Sequence, residues 1–173
     1  MNSQNIYAIK YYDSLLKNEN FITISGIGKS MYPLLNKKMK IKIIQKEQYD
    51  IGDLVLYSKS NRIILHRIIE INRTACRVKG DNTLSYDVIR TRQIIGCATG
   101  YSIKGRKHVV FLKNRISTHT IPLILKKIDE ANLEGKKCVT TILRGVVFIV
   151  VMIYRAASIW NSVIFRESQE RRI

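Results

Sequence analysis

The chain has 173 residues and carries 30 Lys and Arg against 13 Asp and Glu, a net charge of +17. That length suits one ordinary domain with a modest appendage, and the charge favours acidic partners: nucleic acid, anionic lipid or an acidic peptide. The three cysteines, Cys76, Cys97 and Cys138, form no C-x-x-C pair, and His66, His108 and His119 lack metal-ligand spacing, so neither a zinc site nor a disulfide framework is suggested and no cofactor is expected.

Residues 1–20 are polar, with Ile6, Ile9, Tyr12, Leu15 and Leu16 spaced along one helical face. They predict a short amphipathic helix docking on the body, with neither the apolar core of a signal peptide nor a spanning segment. Residues 21–112 read as a β-rich domain. Phe21 to Ile24 is a short strand, and Met39 to Ile44 alternates apolar and basic, the period of a half-buried strand. Asp53 to Tyr57 follows a turn at Gly52, Arg62 to Ile71 is long and β-branched, and Ala75 to Lys79 completes a hairpin with it. Ile94 to Ile103 and, after a turn at Gly105, His108 to Leu112 are the last strand patterns. Short strands at this spacing predict a small, partly closed β fold. Residues 113–173 form a helical C-terminal extension. Pro122 to Leu133 has proline near its start, and Val139 to Phe165 is apolar over much of its circumference. The expected class is mainly β with helices, α+β overall.

The stretch Ser25 to Leu35 raises a choice. Gly28-Lys29-Ser30 ends like a phosphate-binding loop, but Thr23 stands where that loop needs its first glycine, and Pro33 obstructs the helix that should follow. The alternative is a serine nucleophile at Ser30, which needs a base and an orienting group. His66 is the histidine inside a strand, sharing a face with Ile64 and Ile68. Such a residue is either a satisfied core histidine or a base. Asp53 after Gly52 reads as a structural turn pair, and Asp81-Asn82 reads equally well as a plain hairpin turn.

Four segments in order change that balance: Gly28-x-Ser30-Met31-x-Pro33, Gly52-Asp53-Leu54-Val55, Leu65-His66-Arg67-Ile68, and Lys79-Gly80-Asp81-Asn82 with Asp87. Together they resemble the signal peptidase I and LexA-like serine peptidase superfamily over about residues 21–105. With histidine rather than lysine at the base position, they are nearest the endoplasmic-reticulum-type branch. The resemblance implies a signal peptidase or LexA-type β fold and serine endopeptidase activity. It implies Ser30 as nucleophile, His66 as base, Asp87 as orienter, and Asp81 as a carboxylate that supports the site or shares the orienting role. Gly28, Lys29 and Pro33 are expected to position the nucleophile, with backbone amides there as oxyanion donors.

The chain departs from typical signal peptidases in having no membrane-spanning helix before the serine motif. It is similar to short relatives found beside genes for ribosomally made, modified peptides, which implies a precursor peptide as substrate and leader removal as the reaction. The apolar C-terminal run Gly145 to Tyr154, bracketed by Arg144 and Arg155 with Trp160 beyond, suits either an anionic membrane surface or a protein partner. The protein is expected to be cytoplasmic or peripheral at the membrane. The competing class is a non-catalytic basic binding module for nucleic acid or anionic membrane on a LexA-like peptidase fold. Its N-terminal twenty residues cannot hold a helix-turn-helix, and aromatic interleaving among Lys37, Lys38, Lys40, Lys42 and Lys46 is thin, so specific nucleic-acid binding is not expected.

Overall fold

The computed structural model describes residues 3–25, 28–60, 62–103, 110–111 and 119–170. The predicted turn at Gly105, residue His108, the 112/113 boundary and the side chain of Trp160 lie outside the described residues.

In chain order the elements are α1 (Ser3–Asn18), β1 (Ile22–Ile24), a 3-10 turn (Lys29–Met31), β2 (Met39–Ile44), β3 (Leu54–Lys59), β4 (Arg62–Ile71) and β5 (Ala75–Lys79). They continue with β6 (Tyr86–Arg90), a second 3-10 turn (Thr91–Gln93), β7 (Ile94–Ile103), β8 (Val110–Phe111), α2 (Ile121–Leu133) and α3 (Lys137–Glu170). The fold is mainly β with C-terminal helices, α+β in class. The strands form one antiparallel sheet in the order β1-β2-β7-β3-β4-β5-β6, with β8 added to β7.

Alternation places two clusters on opposite faces of this sheet. In β2, Met39, Ile41 and Ile43 are buried while Lys40 is exposed, which is why six residues with two lysines hold as a strand. In β3 both faces are covered. Leu54 and Leu56 join Leu65, Ile41 and Ile43 in the larger core, to which α1 contributes Leu16, α2 Leu125 and α3 Val147, Val151 and Tyr154. Val55 and Tyr57 point the other way and pack with Ile68, Val78 and Ile89.

The sheet curls strongly around that second cluster. Lys59 at the end of β3 donates to Asp87 on β6 at 2.5 Å, although β4 and β5 lie between them in the strand order. Three strand spacings of a flat sheet would separate them by about 14 Å. Register shifts at Lys42/Ile43, Leu56/Tyr57 and Ile68/Glu70 supply the extra bend that bulged strands introduce.

Strand β6 is absent from the pattern read in the sequence. Only Ile89 of its five residues is buried. As an edge strand it buries one apolar side chain, half-buries Asp87 and leaves Tyr86, Val88 and Arg90 to solvent, so its periodicity is nearly silent.

Two helices close the larger core. Pro122 sits in the first turn of α2, where its missing N–H costs nothing. Asp129 of α2 receives the ammonium of Lys79, and both are buried. Helix α3 extends a few residues beyond the expected Val139 to Phe165 at each end. Its 21-residue segment Lys137–Ala157 contains an 18-residue window of mean hydropathy 1.9, long and apolar enough to cross a bilayer by length and composition alone.

Candidate active site

Ser30 lies in the 3-10 turn between β1 and β2, half-buried, with Met31 anchored in the larger core behind it. Gly28 precedes the turn with φ −64° and ψ −173°, an extended conformation open to any residue. Pro33 is buried after it, and its carbonyl accepts a hydrogen bond from Arg155 of α3 at 3.0 Å. The backbone amides of Lys29 and Ser30 open the turn, where a 3-10 segment has no earlier carbonyl of its own to bind.

The turn is pinned to residues 80–82. The Asn82 backbone N–H donates to the Ser30 carbonyl at 2.8 Å, and its side-chain amide donates to the Lys29 carbonyl at 3.4 Å. Gly80 permits this approach: a Cβ there would lie 2.7 Å from the Ser30 carbonyl oxygen and 2.9 Å from Ser30 Cβ. Gly80 also follows Lys79, the register partner of Arg67, so the end of the ladder brings it level with His66. The Ser30 turn packs against β4 as well, and Ser30, Ile64 and Leu65 line one cavity.

Asp81 does not face the solvent side of this turn. Its two carboxylate oxygens accept from Arg67 Nε and Nη2 at 2.8 Å each, with both side chains buried, and Arg67 Nη1 reaches the Gly52 carbonyl at 3.0 Å. This bidentate pair welds the 80–82 turn to β4 and to the Gly52 turn. Asp53, read as a turn residue, accepts from the Asp50 backbone at 3.0 Å and from Lys46 at 2.5 Å.

His66 stands on the opposite face of β4 from Arg67. Its Nδ1 lies 3.2 Å from the hydroxyl of Tyr57, and that hydroxyl donates to Asp87 Oδ2 at 2.6 Å. Asp87 therefore meets the imidazole through a tyrosine, with Lys59 on its other oxygen. The sequence reading named His66 and Asp87 but missed Tyr57. A tyrosine ending an apolar strand is ordinary core material, and its link to Asp87 exists only because the sheet curls.

The electrostatics follow from these contacts. Burial lowers the pKa of His66 below its ordinary value, and the nearby Asp87 and Asp81 only partly oppose it. Burial would raise the Asp87 carboxyl, but the Lys59 ammonium and the Tyr57 hydroxyl outweigh it and hold it below the usual range. Burial first, and then Asp87, push the Tyr57 phenol above its ordinary value. At neutral pH the set is a neutral imidazole, a protonated phenol and an ionised carboxylate.

Two cavities flank Gly28. One of about 270 Å³ is walled by Ile24, Leu56, Ile63 and Leu65 and includes Ser30. The other, of about 370 Å³, is lined by Lys29, Tyr32, Leu35, Lys37 and Lys38. Lys29, Lys37 and Lys38 are exposed, and no salt bridge forms on them among the described residues. Among the described residues, no group of three or more His, Cys, Asp or Glu could hold a metal ion.

No family model matches this chain, and no curated protein matches it either.

Proposed function

We propose that the protein is a serine endopeptidase of the signal-peptidase type, removing a signal or leader segment from a precursor peptide. One observation carries the reading. A serine is held in a tight turn against Gly80 and beside β4, and β4 also carries a half-buried, neutral histidine whose Nδ1 is tied through Tyr57 to an ionised carboxylate.

In this mechanism Ser30 Oγ attacks the scissile carbonyl while His66 takes its proton. The tetrahedral oxyanion faces the amides that open the 3-10 turn. His66 returns the proton to the leaving amine, and an acyl-enzyme on Ser30 remains for water to hydrolyse. Asp81 contributes by locking Arg67 and hence the turn against which Ser30 rests.

The cavities flanking Gly28 support a substrate class. The cavity beside Ser30 has a mixed polar and apolar wall and admits a small side chain, and the cavity beyond is mostly apolar and suits an apolar one, while the exposed Lys29, Lys37 and Lys38 around it favour acidic residues on the same peptide. A membrane surface is the proposed setting. Helix α3 turns Val147, Val151 and Tyr154 inward but leaves Ile142, Ile149 and Ile153 about 60% exposed beside Val146 and Met152, on a chain of net charge +17. An anionic bilayer satisfies both the apolar stripe and the charge.

The test is acylation. A fluorophosphonate probe should label Ser30 in the full chain, as read by mass spectrometry. Both Ser30→Ala and His66→Ala should abolish cleavage of acidic leader-type peptides. A protein that is never labelled, yet shifts DNA in a salt-sensitive manner, would be a basic binding module instead.

A further inference from the structure

We infer that Tyr57 is a positioning residue that couples Asp87 to His66 and fixes the imidazole as its Nδ1–H tautomer. Its catalytic consequence rests on the serine-peptidase reading, whereas the tautomer itself does not.

Tyr57 has a single hydroxyl proton, and the short contact to Asp87 Oδ2 at 2.6 Å takes it. An ionised Asp87 can only accept, and Lys59 on Oδ1 keeps it ionised. The Tyr57 oxygen therefore meets His66 Nδ1 at 3.2 Å with lone pairs. A bare Nδ1 would set two acceptors against each other inside a partly buried cluster, so Nδ1 carries the proton and donates it to Tyr57. Nε2 is then left with its lone pair, the form a base needs to receive a serine proton.

Tyr57 is fully buried among Val55, Ile68, Val78 and Ile89, so its ring cannot swing away to release the bond. When Nε2 takes the Ser30 proton, the positive charge spreads to Nδ1–H. The bond to Tyr57 tightens, with Asp87 polarising it from behind. No proton need leave Tyr57 at any stage.

The experiment reads the ring directly. In the 15N-labelled full chain, long-range proton–nitrogen correlations give the protonation of each imidazole nitrogen, and the His66 signals are those that vanish in His66→Ala. Well above the histidine titration, the wild type should show Nδ1 protonated and Nε2 bare. Tyr57→Phe, which keeps the ring and removes the hydroxyl, should lose that preference. It should lower kcat by roughly 100-fold with KM nearly unchanged, because only the base is disturbed. Asp87→Asn should invert the tautomer: its amide donates to the Tyr57 oxygen, the phenol proton turns to Nδ1, and the loss in kcat approaches roughly 10,000-fold.

An Nε2–H wild type overturns the inference. So does a Tyr57→Phe or Asp87→Asn protein that keeps the wild-type tautomer. Should Tyr57→Phe fail to fold, the wild type and Asp87→Asn decide alone. A correct tautomer with no Ser30 acylation supports the coupling and defeats the peptidase reading.

Discussion

Gly80→Ala adds one methyl group at the closest approach in the site. The new Cβ would stand 2.7 Å from the Ser30 carbonyl oxygen, 2.9 Å from Ser30 Cβ and 2.9 Å from Thr83 Cγ2. Non-bonded carbons prefer about 3.5–4.0 Å, so the Ser30 side must retreat by roughly half an ångström or more. It has little room to do so: its carbonyl is held by Asn82 N–H at 2.8 Å and Met31 is buried behind it. Overpacking of this kind costs about 1–3 kcal/mol. For a chain of this length that corresponds to a fall in Tm of roughly 2–12 °C. A misplacement of about 1 Å costs on the order of 100-fold in rate, so half of that should slow Ser30 acylation about tenfold. Thermal denaturation and the rate of fluorophosphonate labelling measure the two effects. Gly28→Ala is the stability control, because nothing lies within 4 Å of a Cβ there and its backbone is extended. A Gly80→Ala protein with wild-type Tm and labelling rate would refute the packing of Ser30 against this turn.

Arg67→Met should destabilise the protein by about 3–5 kcal/mol in urea titrations, since it strands the buried Asp81 carboxylate; a loss under about 1 kcal/mol would contradict the buried pairing. The acid limb of kcat/KM should fall at a pH below 6.5: His66 acts only when neutral, and its pKa is lowered, so activity persists into mildly acidic solution before protonation removes the base. A limb above 6.5 would assign the base elsewhere. Ile149→Glu combined with Ile153→Glu should reduce co-sedimentation with phosphatidylglycerol vesicles at least tenfold, because each apolar side chain that enters lipid is worth about 1.5–3 kcal/mol. Unchanged binding would remove α3 from the membrane contact.

Much of the architecture was legible because burial wrote itself into the sequence with the right period. Met39 to Ile44 alternates, and its apolar members are the buried ones. The helix at Pro122 to Leu133 was found almost to its ends, since proline marks its start. What stayed hidden has a common cause: it depends on closure of the sheet. Asp87 was visible as a carboxylate, but not as part of an edge strand, because β6 buries only Ile89. Tyr57 was visible as a strand residue, but its neighbour Asp87 lies 30 positions away and three strands over. Asp81 and Arg67 were each singled out or quoted in motifs, yet neither residue alone announces a bidentate pair 14 positions apart. Local pattern reports which face a side chain takes; it does not report which distant strand arrives opposite.

Helix α3 is more than a tail appended to the sheet. Arg155 grips the Pro33 carbonyl, Phe148 lies against Tyr32 with ring centroids 6.0 Å apart, and Arg144 reaches Asn82 at 3.3 Å. These three handholds straddle Ser30, two just after it in the chain and one on the turn that cradles it. Any force that tilts the helix is thus delivered within a few bonds of the reacting hydroxyl. Deleting everything beyond residue 136 would strip the nucleophile of its buttress, and a catalytic fragment cut at that point would be a poor witness to the intact protein's turnover.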